Sequence, residues 1–133
     1  MKQTCILVLG MHRSGTSALT GVLGLLDVYL ADTTRGDENN KKGYFENSKV
    51  QQLNDKVFAS INSNWQDEFF NISKIENINF DFKEFIEIIK NDFEYSEIFA
   101  IKDPRVCFLF PLWEKALKKS NVNIKIILPY RNP

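Results

Sequence analysis

Gly10 to Ser17 reads GMHRSGTS: two glycines five residues apart, an arginine between them, and hydroxyl side chains at the end. Backbone amides in a glycine loop, joined to the N-terminus of a following helix, form a cradle for an anion because the peptide dipoles point their positive ends at it. The phosphate loop of kinases and ATPases has the pattern Gly-x-x-x-x-Gly-Lys-[Ser/Thr]. Here Gly10, Gly15 and Ser17 keep their places, but Thr16 stands where the lysine belongs and the positive charge sits at Arg13. A phosphoryl-transfer loop uses its lysine beside a magnesium ion, whereas a guanidinium fork can span two oxygens of one anion by itself. The loop therefore suits an anion other than a metal-bound triphosphate. The plainer alternative is a strand-to-helix turn in which glycine merely permits the bend.

Three further segments carry groups able to do chemistry. Glu46 lies in GYFEN, Lys102 opens KDPR, and Arg131 lies in LPYRNP. A carboxylate can take a proton from an attacking hydroxyl, and a lysine or arginine can stabilise charge on a transferring group. Each has an ordinary structural reading as well. Glu46 could cap the helix that follows it, Lys102 and Arg105 could pair with Asp103 or neighbouring acids, and Arg131 could be solvated near the chain end.

These groups need elements to hold them. TCILVL, Thr4 to Leu9, is an unbroken apolar run suited to a strand buried on both faces. Ala18, Leu19, Val22, Leu23, Leu25 and Leu26 then fit a helix packed on it. A helix is predicted from about Ser48 to Ser63 by the spacing of Val50, Leu53, Val57, Ile61 and Trp65, and another by Phe82, Phe85, Ile86, Ile89 and Phe93 with Asp81 as its N-cap. EIFAI, Glu97 to Ile101, is a second strand. Asp103 and Pro104 then mark a helix start, with that helix running through Trp113 to Lys119. Ile124 to Leu128 supplies a third strand. Strands alternating with helices predict an α/β fold with a parallel sheet, and ligands in such sheets sit at the carboxyl ends of the strands. Gly10 to Ser17, Lys102 to Arg105 and Pro129 to Pro133 all fall at those ends, and each carries a basic residue.

Composition narrows the partners. The 133 residues are enough for one domain, residues 1–133, with an aromatic core built from eleven Phe. Phe69, Phe70, Phe80, Phe82 and Phe85 are read as core. Seventeen basic residues balance seventeen acidic ones, so no general attraction for nucleic acid is expected and anion binding must be local. Cys5 and Cys107 lie far apart in apolar stretches and are read as reduced core residues, with no metal site. The N-terminal apolar run leads into His12 and Arg13, where a secretory cleavage site would need small neutral residues. No apolar stretch is long enough to span a bilayer, and a cytoplasmic protein is expected.

HRSGTSA, His12 to Ala18, resembles the 5′-phosphosulfate loop of sulfotransferases that use 3′-phosphoadenylyl sulfate (PAPS), with His12 in place of the usual proline. LPYRNP resembles the start of that family's 3′-phosphate motif, and GYFEN and KDPR are similar to segments of its bacterial and tyrosylprotein-sulfating branches. The resemblance implies a P-loop NTPase-like three-layer sandwich with a central parallel sheet. It also implies transfer of a sulfuryl group from PAPS to a hydroxyl or amine, with no metal required. Arg13, Ser14, Gly15, Thr16 and Ser17 would hold the 5′ phosphosulfate and Arg131 the 3′ phosphate. Glu46 would be the general base, with Lys102 and Arg13 stabilising the transferring group. The acceptor, whether carbohydrate, small molecule, lipid or peptide, is left open. The family's second 3′-phosphate ligand is a serine several residues beyond the arginine, whereas this chain ends two residues after Arg131. The expectation is therefore either the front portion of a longer protein or a truncated relative, with little activity by itself. A kinase or NTPase with an altered loop, and a non-catalytic nucleotide-binding module, are the alternatives.

Overall fold

Among the described residues, three five-residue strands form a parallel sheet: β1, Thr4–Val8; β2, Ile98–Lys102; and β3, Asn123–Ile127. Their order is β2-β1-β3. The structure, a computed structural model, describes residues 2–11, 15–31, 45–68, 70–76 and 81–130. In-register pairing sets Val8 opposite Lys102 on one side and Ile127 on the other, so all three strands finish at one edge. Tyr29 adds a single parallel bridge to Phe99 on the outer side of β2.

Among the described residues, five helices connect and cover the strands: α1, Thr16–Leu25; α2, Ser48–Ser60; α3, Ser73–Glu76; α4, Lys83–Phe93; and α5, Val106–Lys119. Side chains alternate across a strand, and β1 divides accordingly. Ile6 and Val8 meet Leu19 and Leu23 of α1 in a small cluster on one face. Cys5 and Leu7 face the large cluster built by α2, α4 and α5. The fold is thus α/β, a small parallel sheet with helices on both faces. Aromatic pairs lock the larger side: Phe93 of α4 stacks on Phe99 of β2 at 4.4 Å between centroids, and Phe85 meets Trp113 of α5 edge-on at 4.9 Å. Such pairs add roughly 0.5–1.5 kcal/mol each beyond the area they bury.

The strands and helices predicted from the sequence are present, the short α3 was not among them, and several ends differ for local reasons. The helix predicted from Asp103 begins at Val106, because Asp103 and Pro104 form a turn whose carbonyls accept from Val106 and Cys107. Asp81 does accept from the Lys83 amide at 3.0 Å, although the first helical residue follows Phe82. α2 stops at Ser60, where the Ser63 amide turns back to the Phe58 carbonyl. Phe85 is fully buried, and Phe70 and Phe82 pack against the core as partly buried rings. Phe69 and Phe80 lie outside the described residues. No helix among the described residues is long and apolar enough to cross a membrane.

Candidate functional site

The carboxyl edge of the sheet opens directly onto the loop after β1. Leu9 continues the ladder by donating to the Ile127 carbonyl, and the Gly10 amide donates to the Cys107 Sγ at 3.0 Å, which ties the start of the loop to α5. The loop's far end is set by Gly15, whose φ of 87° makes it a left-handed N-cap of α1. A β-carbon is disfavoured there, which explains the glycine. Its carbonyl accepts from the Leu19 amide, closing the first turn. Thr16 is buried beneath that turn, and no acidic residue occupies the turn to oppose an incoming anion.

Lys102 ends β2 next to this helix start. Its Nζ donates to Ser17 Oγ at 3.0 Å and to Glu46 Oε1 at 2.7 Å. Both members of the ion pair are nearly out of water, with side-chain exposures of 3% for Lys102 and 9% for Glu46. Gln51 Nε2 donates to the other carboxylate oxygen, Oε2 of Glu46. The carboxylate is therefore oriented from two sides, yet its four lone-pair positions are not exhausted.

Glu46 reaches this position through an unusual backbone. Phe45 has a φ of 54°, a left-handed conformation that is a real outlier for a bulky residue. Its ring lies against α1 at Gly21, where a β-carbon would come within 3.2 Å of Phe45 Cζ. Asn47 then caps α2, accepting from the Lys49 and Val50 amides at 2.9 and 3.0 Å, and donates to Asp92 of α4 at 3.1 Å. Packing on one side and capping on the other clamp Glu46 between two helices. Strain of this kind persists only where the surroundings enforce it, and it gathers at functional sites.

Behind Lys102, the corner between β2 and α5 is pinned by a buried polar network. Asp103 accepts from Asn54 Nδ2 at 2.9 Å, from the Arg105 guanidinium at 2.9 Å and from the Arg105 amide at 3.1 Å. Trp113 Nε1 completes the chain by donating to Asn54 Oδ1 at 2.8 Å. Burial raises the Asp103 carboxyl above its ordinary range, with Arg105 and Asn54 opposing that rise. Burial would lower Arg105, but the neighbouring Asp103 reverses this and the guanidinium ends up raised. Arg105 also reaches Asp55 at 2.7 Å and lies 5.0 Å over the Trp65 ring.

Lys102 and Arg105, alike in the sequence, thus separate in space. Arg105 pairs with Asp103 as its structural reading proposes, whereas Lys102 turns to Glu46 and the loop. Gly15, Thr16, Ser17, Glu46 and Lys102 come together at one edge. Arg13, Ser14 and Arg131 lie outside the described residues. Cys5 is a core residue with a strongly raised thiol. Cys107, also read as core, is only half-buried, because its sulfur faces the loop as an acceptor; burial raises its thiol too. Gln51 and Asn54 were not foreseen. They sit on α2 at spacings that reveal nothing until the helix is docked.

A buried ammonium can stabilise developing negative charge and a buried carboxylate can accept a proton, and here the two are paired beside a helix N-terminus. Among the described residues, no cluster of three or more His, Cys, Asp or Glu is arranged to hold a metal ion. No protein-family model, curated protein or solved structure matches the chain.

Proposed function

We propose that this chain is the donor-binding part of a PAPS-dependent sulfotransferase, of P-loop type, acting on a hydroxyl or amine acceptor. The observation that carries the reading is Lys102, whose ammonium bridges Ser17 of the anion loop and Glu46 of GYFEN at the edge where three strands end. Three segments far apart in sequence, each singled out for resemblance to one family, meet at one cation.

The residues present fit an anionic donor. Gly15's left-handed turn aims the first amides of α1 outward, and Thr16 and Ser17 add hydroxyl side chains to that turn. Arg13 and Ser14 would complete the 5′ side and Arg131 the 3′ phosphate. The donor supplies an electrophilic sulfur whose bond to the 5′-phosphate oxygen breaks with the electron pair leaving on that oxygen. Glu46 receives the proton of the acceptor hydroxyl as its oxygen bonds to sulfur, while Gln51 holds the carboxylate in orientation. Lys102 supports the negative charge on the transferring group, and its tie to Ser17 keeps it at the loop.

A kinase reading needs a magnesium-binding acid at a strand end. Asp103 stands there, but it is fully buried and engaged by Arg105 and Asn54, which weighs against that alternative. Isothermal titration of the chain with adenosine 3′,5′-bisphosphate, AMP and ATP tests the proposal. The bisphosphate should bind at least ten-fold tighter than AMP, with or without magnesium, and Arg13→Ala should weaken it. Equal affinities for nucleotides with and without the 3′ phosphate would refute it.

A further inference from the structure

We infer that Asp92 of α4 is a positioning residue for Glu46, acting through Asn47, the residue that follows Glu46 and caps α2. The inference rests on the transfer reading above for the role of Glu46 as base, and adds what holds that base at Lys102. Asn47 and Asp92, 45 positions apart, meet at 3.1 Å, with Asn47 Nδ2 donating to Asp92 Oδ2. Asn47 is 5% exposed and the Asp92 side chain 9%, so the contact is shielded from water.

The identity of the cap residue carries the argument. Serine, aspartate and asparagine are about equally good N-caps, because capping asks only for an oxygen that accepts from the first amides of the helix. Asn47 Oδ1 does this for the Lys49 and Val50 amides at 2.9 and 3.0 Å. A cap that must also donate to a carboxylate is more restricted. Aspartate has no donor, and serine places both functions on one short-reaching oxygen, whereas an amide holds acceptor and donor on separate atoms of one rigid plane. Asn47 therefore serves α4 as well as α2.

Asp92 is more than an acceptor for that amide. The first turn of α2 holds no acidic residue of its own, although the helix dipole favours negative charge there. Asp92 supplies the charge from α4, and its other oxygen, Oδ1, accepts from Lys49 Nζ in the same turn at 2.8 Å. The start of α2 is thus tied to α4 at two points, and Glu46 is the residue immediately before it. On its other side stands the left-handed Phe45. A shift of the cap would carry the Glu46 backbone with it and pull Oε1 from its 2.7 Å contact with Lys102 Nζ. Gln51, which holds the other carboxylate oxygen, rides on the same helix and so moves with the cap rather than against it.

The reactivity of Lys102 reads the position of the base without turnover. A buried lysine deprived of its carboxylate acylates faster, because burial favours the neutral amine. The full chain, Asn47→Ser, Asn47→Asp and the exchange Asn47→Asp/Asp92→Asn are treated with acetic anhydride under native conditions. Acetylation of Lys102 relative to the exposed Lys115 is then followed by mass spectrometry. Asn47→Ser keeps a good cap but loses the donor, and should raise the ratio about three-fold or more, as the loss of one net hydrogen bond would. Asn47→Asp sets two carboxylates against each other and should raise it further. The exchange restores donor and acceptor in reversed order and should bring the ratio back to within about two-fold of the wild type. A merely structural role would lower the urea midpoints without singling out Lys102 in the folded chain. An unchanged ratio in Asn47→Ser, or an exchange as reactive as Asn47→Asp, overturns the positioning role and leaves the transfer reading intact if the wild type binds adenosine 3′,5′-bisphosphate. If the wild type fails to bind it, the transfer reading falls, and the service of Asp92 to a base falls with it even where the ratio responds.

Discussion

Replacing Lys102 by Met removes one member of an ion pair that is almost wholly out of water. At 2.7 Å and an effective dielectric constant of about 20, the attraction between Lys102 and Glu46 is about 6 kcal/mol. Desolvating each ion costs several kcal/mol, so the intact pair contributes little net stability. Removing one partner is a different matter. Glu46 would keep its desolvation penalty with Gln51 still donating to it, and breaking a buried pair typically costs about 3–5 kcal/mol. That is a large share of the roughly 5–15 kcal/mol that holds an ordinary domain together. Urea denaturation of the wild type, Lys102→Met, Glu46→Gln and the double variant checks the reasoning. Lys102→Met should lose about 3 kcal/mol or more. The double variant should recover part of that loss, giving a coupling of about 1–3 kcal/mol, since a neutral amide no longer needs the ammonium. A loss below about 1 kcal/mol with additive single effects would mean that the pair behaves like a solvated surface contact, and the buried-site argument would collapse.

Two further outcomes follow from the same geometry. Gly15→Ala forces a β-carbon into a left-handed N-cap and should cost about 1–2 kcal/mol, with weaker binding of adenosine 3′,5′-bisphosphate; unchanged stability by thermal melting would show that the turn relaxes. Because the native state holds Asp103 above the ordinary carboxylate value near 4, it keeps a proton that the unfolded chain has shed. Stability contributed by this group is therefore fullest below that ordinary value and lost as pH rises through the native one. Urea midpoints at pH 4 and pH 6 should show a smaller fall in Asp103→Asn than in the wild type, and equal falls would contradict the assignment.

The candidate site was legible where local rules suffice. Two glycines framing hydroxyl residues after an apolar run announce a strand, a tight loop and a helix start, because glycine alone tolerates the φ that Gly15 adopts. Glu46 and Lys102 were legible as candidates through resemblance, but nothing in GYFEN or KDPR tells which partner each would choose. Lys102 had an aspartate as its next neighbour and ignored it. Asp103 alternates to the other face of the strand end and is drawn into α2 and α5 by Asn54 and Arg105, whereas Lys102 points to the face shared with α1.

By itself, then, the sequence determined every element but the short α3, the parallel α/β pattern and the loop, since apolar periodicity, capping residues and glycine act over a few positions. Only the tertiary structure decided that Ser17, Glu46 and Lys102 share one hydrogen-bonded cluster and that Gln51 orients the carboxylate. It also decided that Cys107 faces the loop. Those contacts depend on the register of β1 against β2 and on how α2 and α5 dock against the sheet. The register pairs Thr4 with Ile98, and packing between segments so remote in sequence is encoded by no local pattern.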